Sequence, residues 1–249
     1  MSTLSFVCDP AAPTPSFLDG VAPEIETRLR LYGCEFIQSM AILLAVPQVS
    51  VATAEILFHR LYMRKSFKKL NVKNVASACL YLACKIEETE RSWKDVLNVV
   101  RLLFLRAENR PFAPLNRAIP ANDALYWDMR RDLIVTESHV LKELGFLVQV
   151  EHPHKFILSY LNVLGGDNVF AQAAWSLVND ALRTTACVYF RPEAIAVTAL
   201  FIAARRLGIP LPETPEPWWH LFDVRLDEIE SIGFAIIHIH MIPATYIEV

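Results

Sequence analysis

The chain has 249 residues, 53% of them hydrophobic, with 7 glycines and a formal net charge of −3. That is enough apolar material for one large helical domain or two smaller ones, and the mild acidity speaks against a dedicated nucleic-acid binder. The 5 cysteines are scattered with no CxxC pair, no basic-then-apolar leader opens the chain, and the longest apolar run, Ala194–Ala204, is too short for a bilayer, so a reducing compartment without signal peptide or membrane span is expected.

Residues 1–22 are rich in proline and small side chains and read as an irregular arm. From Pro23 the helical period sets in: Ile25, Leu29, Tyr32, Phe36, Met40 and Leu43 keep one stripe until Pro47 stops it. Ser50 is the expected N-cap of a second helix carrying Val51, Ala54, Leu57, Phe58 and Leu61. Asn71 or Asn74 caps a third, whose sequence NVASACLYLACKIEE holds small residues on two adjacent faces, the pattern of a helix central to a bundle. Ser92 and Asp95 form a capping box for a fourth, with Trp93, Val96, Leu97, Val100, Leu103 and Phe104 inward. A proline-containing loop over 107–121 precedes a fifth helix that runs to Leu144, with Gly145 as its C-cap.

A repeat follows. With Val75 set against Ile195, NVASACLYLACK lies over AIAVTALFIAAR, matching at Ala76/Ala196, Leu80/Leu200 and Ala83/Ala203. Pro153 and Pro192 stand where helices begin, WWHLF reads as a short fourth helix and Leu226–Ile237 as a fifth.

Two segments place a charge beside an apolar stripe. Lys85 lies between Leu82 and Ile86, and Glu137 lies between Leu133 and Leu141. This combination of LACKIEE, a further helix and a helix ending LKELGF resembles the cyclin box. The stretches PTPSFLDG, LYGCEFIQ, HPHK (His152–Lys155), NDALRT (Asn179–Thr184) and GIPLP narrow the resemblance to the cyclin L type, over about Pro13 to Ile232. The resemblance implies an all-α chain of two consecutive five-helix cyclin folds, over 23–149 and 150–249, the second acting as support. It also implies a non-catalytic subunit that binds and activates a cyclin-dependent protein kinase in transcription and pre-mRNA splicing, in the nucleus. A PITSLRE-type kinase or a kinase of the RNA polymerase II tail is the expected partner. In cyclins, residues matching Lys85 and Glu137 hydrogen-bond the kinase, and those matching Leu82, Ile86, Leu141 and Phe146 pack on its regulatory helix.

Each of these residues has a plainer reading. Lys85 suits a helix C-terminus, where the dipole favours a cation and the stem snorkels over Leu82. Leu82 and Ile86 suit an ordinary core. A carboxylate within an apolar stripe, as at Glu137, is disfavoured unless it is paired or at an interface. The cluster Arg60, Arg64, Lys65, Lys68, Lys69 and Lys73 reads as a solvated edge or a site for an acidic partner. Glu87, Glu88 and Glu90 read as exposed charge, and His152 and His154, split by proline, as no metal site. No phosphate loop, nucleophile elbow or dinucleotide fingerprint is present, and no cofactor or direct nucleic-acid contact is expected. The runner-up is a general transcription factor of the TFIIB type, which pairs cyclin folds on promoter DNA. Two departures from the resemblance stand out. LRLYG (Leu29–Gly33) replaces the MRAIL-type substrate-docking motif, and no Arg/Ser-rich tail is present.

Overall fold

A computed structural model describes residues 12–107 and 124–242, which fold into two compact units meeting in sequence between Gln149 and Val150. No strand occurs among the described residues. In the first unit a helical turn, α1 (Pro15–Leu18), precedes α2 (Pro23–Leu43), α3 (Gln48–Tyr62), α4 (Val72–Ile86), α5 (Trp93–Ala107) and α6 (Ala124–Glu143). The second unit comprises α7 (His154–Leu164), α8 (Asn168–Leu182), the short α9 (Ala186–Tyr189), α10 (Pro192–Leu207) and α11 (Leu226–His238). Its fourth position is a 3-10 turn of five residues, Trp218–Phe222, because Pro217 opens it and Asp223, in the left-handed region at φ 53°, closes it. The turn at Pro15–Leu18 falls within the stretch expected to be an irregular arm. The loop expected over 107–121 lies almost wholly outside the described residues.

Local chemistry sets most boundaries. Asn71, rather than Asn74, caps α4: its side chain accepts from the backbone N–H of Lys73 and of Asn74. Pro192 occupies the first turn of α10, where its missing N–H costs nothing. Gly145 follows α6 at φ 61°, and the N–H groups of Gly145 and Phe146 return to the carbonyls of Lys142 and Leu141. Gly208 ends α10 in the same way, at φ 67°, with Ile209 N–H on Ala204. Ser50 is not the cap of α3. Pro47 starts that helix, and Ser50 is buried in its first turn, 2.7 Å from the Thr89 hydroxyl. Ser92 accepts from the backbone N–H of Lys94 and so caps α5.

α3 and α4 pack together at the centre of the first unit, and nearly every side chain of α3 is buried. Gly33 of α2 makes this possible, since a Cβ there would lie 2.1 Å from Cζ of Phe58. The core is not purely apolar. Arg30 donates through Nη2 and Nε to Glu26 Oε1, at 2.7 and 3.0 Å, and through Nη2 to the carbonyl of Tyr62 at 3.1 Å. Its Nη1 lies 3.3 Å from His59 Nδ1. Guanidinium only donates, so His59 Nδ1 accepts and the ring proton of the neutral imidazole sits on Nε2, 3.3 Å from Cys34 Sγ. Thr14 completes the chain, donating to Glu26 Oε2 at 2.6 Å. The network ties the start of the unit to α2 and α3.

The second unit is built around α10, wrapped by α7, α8 and α11, with an almost entirely apolar interior. One polar link stands out: His154 Nε2 donates to Asn179 Oδ1 at 2.8 Å, with the ring 4.6 Å from that of Trp175. Burial pulls the His154 pKa below its ordinary value, and the bond to Asn179 opposes that shift. The link joins HPHK to NDALRT, the two stretches that most narrowed the sequence resemblance.

Candidate partner-binding site

α4 and α6 lie side by side in the first unit and bring Lys85 and Glu137 together: Nζ stands 2.5 Å from Oε1. The ammonium also lies 4.1 Å from the centre of the Tyr81 ring, one helical turn earlier. The two charges differ in exposure. The Lys85 side chain is 41% exposed, that of Glu137 only 10%. Glu137 is therefore withdrawn from water in the free chain, whereas Lys85 is not. The carboxylate is buried, and Lys85 is what answers it.

Around the pair, Leu82 is buried in the core, Ile86 and Leu141 are half-buried, and Phe146 is 67% exposed. Phe146 holds φ 60° directly after Gly145, so the Gly145–Phe146 corner turns the ring outward beyond the helix end. Leu147 beside it is exposed as well.

The basic cluster holds this corner in place. Arg64 donates to the carbonyl of Glu143 at 2.5 Å, Lys65 pairs with the Glu143 carboxylate at 3.0 Å, and Arg60 donates to the carbonyl of Gln149 at 3.2 Å. Cations at the end of α6 also complement its dipole. Lys68 and Lys69 reach Asp19, and Lys73 lies over the Phe104 ring. Each member thus has a partner inside the unit, and the solvated-edge reading needs that amendment.

Of the glutamates after Lys85, Glu87 is not simply exposed charge. It is half-buried and accepts from the Thr53 hydroxyl at 2.7 Å. Arg91 donates to the carbonyls of Leu44, Ala45, Thr89 and Glu90, fixing the segment after α4 to the end of α2. Sequence reasoning passed over Trp127, Ile134 and Val135, which are exposed along α6. Their signal was an adjacent apolar pair, Ile134–Val135, off the buried stripe.

In the LRLYG segment only Tyr32 is half-buried. Leu29, Arg30, Leu31 and Gly33 are all buried. Cys34, Cys79 and Cys84 are buried free thiols, and burial raises the pKa of Cys79 and Cys84. Among the described residues no group of His, Cys, Asp and Glu could hold a metal, and no helix is long and apolar enough to cross a membrane.

The family described as cyclin, N-terminal domain, matches residues 9–149. The chain belongs to the cyclin family. Its relatives include Cyclin-L1-1 of Oryza sativa subsp. japonica, 45% identical over 237 residues that make up 95% of this chain and 54% of that protein. Cyclin-L1 of Homo sapiens is 44% identical over 92% of this chain and 43% of its own length. The resemblance to the cyclin L type therefore holds. The chain spans about half the length of the curated relatives it matches. Two solved structures share the fold. One is a chain of the yeast RNA Pol II CTD kinase CTDK-1 complex, with TM-score 0.68 and 20% identity over 88% of this chain and 71% of that one. The other is a viral cyclin from herpesvirus saimiri, with TM-score 0.54 and 13% identity over 85% of this chain and 83% of that one.

Proposed function

We propose that this cyclin is the non-catalytic regulatory subunit of a cyclin-dependent kinase acting in transcription and pre-mRNA splicing, in the nucleus. In this reading 23–149 and 150–249 are two cyclin boxes, the first carrying the kinase site and the second supporting it. The kinase is of the PITSLRE type or one that phosphorylates the RNA polymerase II tail. The complex named for one solved neighbour, the yeast RNA Pol II CTD kinase CTDK-1, supports a kinase partner. The observation that carries the reading is the Lys85–Glu137 pair at 2.5 Å, flanked by an outward Phe146 at the fixed end of α6.

A kinase is active when a glutamate on its regulatory helix pairs with the ATP-binding lysine. A protein that binds only that arrangement shifts the population toward it. Lys85 and Glu137 offer one exposed donor and one carboxylate to such a helix, and Ile86, Leu141 and Phe146 offer apolar surface beside them. Affinity purification of the full chain from its source, identification of the co-purifying kinase, and a phosphorylation assay with and without the chain test the reading. A kinase whose activity rises many-fold on adding the chain is expected. Absence of any kinase, or phosphoryl transfer by the kinase-free chain itself, contradicts it.

A further inference from the structure

The inner stripe of α6 carries two charges. It runs Tyr126, Arg130, Leu133, Glu137 and Val140, at the spacing of one helical face. Glu137 is answered by Lys85. Arg130 is answered by no carboxylate among the described residues. Its guanidinium carbon lies 4.8 Å from the centre of the Trp93 ring and 5.5 Å from that of Trp127. Trp93 is itself held against Tyr126, with ring centres 5.3 Å apart. The Arg130 Nε is shut off from water and has no hydrogen-bond acceptor. Asp128, the nearest acidic residue before it on the helix, is already taken by Arg131 at 2.7 Å. Lys94 adds a second cation, 5.7 Å from the Trp93 ring.

Stacking on indole rings fixes the plane of a guanidinium but leaves its in-plane donors unused. Such a group suits a planar, two-oxygen acceptor approaching edge-on. The surroundings choose among acceptors. Trp127 is 50% exposed, and Ile134, one turn beyond Arg130, and Val135 are exposed too. A partner at this place must cover apolar side chains as well as meet a cation, which a free anion or a phosphate backbone does not do. A protein surface bearing an aspartate or glutamate does both.

We propose that Arg130, held between Trp93 and Trp127, is a recognition point for a carboxylate side chain on the protein partner that covers α6. The inference rests on the kinase reading above and extends that site two helical turns along α6 from Glu137. Desolvated arginine and tryptophan are the residue types that concentrate binding energy at interfaces. The pair Lys85–Glu137 then marks one end of the site, and Arg130 reads the identity of the partner at the other.

The test titrates the purified co-purifying kinase against the wild-type chain and against Arg130→Gln, Arg130→Lys and Glu137→Lys, with a thermal melt of each free protein. Arg130→Gln should weaken binding about tenfold or more. Arg130→Lys should weaken it less, since charge survives but the fork does not. Both free variants should melt within about 2 °C of the wild type. Reversing one acidic residue of the kinase should restore binding to Arg130→Glu. If Arg130→Gln fails to fold, Arg130→Lys carries the comparison. Unchanged affinity in the Arg130 variants, with binding lost in Glu137→Lys, overturns this inference and leaves the kinase reading standing. No effect in any variant overturns both. A melt shift by inorganic phosphate that is lost in Arg130→Gln, with kinase affinity intact, assigns a phosphate site and overturns the carboxylate.

Discussion

The two units solve the same packing problem with different interiors. The first buries Glu26, Arg30, Glu55, His59 and Glu137, whereas the second, among the described residues, buries one ionisable side chain, His154. The contrast is sharpest at the two helices that the sequence repeat aligns. Lys85 of α4 stacks on Tyr81 and meets a buried carboxylate from α6 at 2.5 Å. At the matching place in α10, Arg205 stacks on Phe201 at 5.0 Å but among the described residues meets only the carboxylate of Glu213 in the following loop, at 3.5 Å and with both side chains more than half exposed. Nearer the start of α10, Gly233 of α11 faces Thr198 and Ile202. A groove of about 420 Å³ opens beside Arg205, lined by Phe201, Ile209, Leu211 and Trp218. A buried ion pair brings little net stability over an apolar alternative. On the kinase reading, its presence in the first unit and its absence among the described residues of the second fit charges that serve something beyond folding.

The largest expected effect is at Arg30. Arg30→Ala leaves Glu26 buried without its cation and frees His59 and the Tyr62 carbonyl, which should cost the first unit about 3–5 kcal/mol. Urea unfolding followed by hydrogen exchange in α2 and α3 reads it. A loss under about 1 kcal/mol would mean that the buried charges of this unit are incidental.

Lys85→Ala and Arg205→Ala break the comparison directly. The first strands Glu137 and should cost about 1–3 kcal/mol. The second removes an exposed pair and should stay within about 0.5 kcal/mol. Equal losses would erase the distinction drawn between the two units.

The ends of α4 and α10 sharpen it further. Glu88 and Gly208 match in the repeat, and both adopt the left-handed conformation, at φ 54° and 67°. A side chain is strained there and glycine is not. Glu88→Gly should stabilise the first unit by about 0.5–1 kcal/mol, and Gly208→Ala should weaken the second by about 1 kcal/mol. Opposite signs in two denaturant titrations are the expected result.

A pH series addresses His154. Its folded pKa is lowered by burial, so the unfolded chain takes up the proton first. The stability it supports is complete above about pH 6.5, the ordinary histidine value, and is lost as the pH falls from there toward the folded pKa. In His154→Gln, thermal melts of the second unit between neutral and mildly acid pH should lose part of that slope.

Much of this architecture is written locally in the chain. Asn71, Gly145, Pro192 and Gly208 act within a few residues of themselves, so the ends of α4, α6 and α10 are legible without a fold. Lys85 and Glu137 stand out for the same reason, as charges at odds with their own helical stripes. What escapes the sequence depends on distant partners. Glu26 and Arg30 look like solvent-facing residues of α2 until His59 and the Tyr62 carbonyl, some thirty residues on, are packed against them. Ser50 looks like a cap until Thr89 approaches it. Arg130 looks like one of two adjacent surface arginines, since the rings that hold it come from α5 as well as from α6. The basic cluster gave a charge pattern but not its purpose, because the carbonyls it holds, those of Asp19, Glu143 and Gln149, are remote from it in sequence.

The central claim is that the α4–α6 charges serve a kinase, and Glu137→Ala tests it most directly. Lys85, 41% exposed, stays solvated when its partner is removed, so the free chain should keep its melting temperature to within a few degrees. Affinity for the co-purifying kinase, titrated alongside, should fall well over tenfold, because a desolvated charge at the interface loses its partner. Wild-type affinity in a folded Glu137→Ala protein would contradict the account.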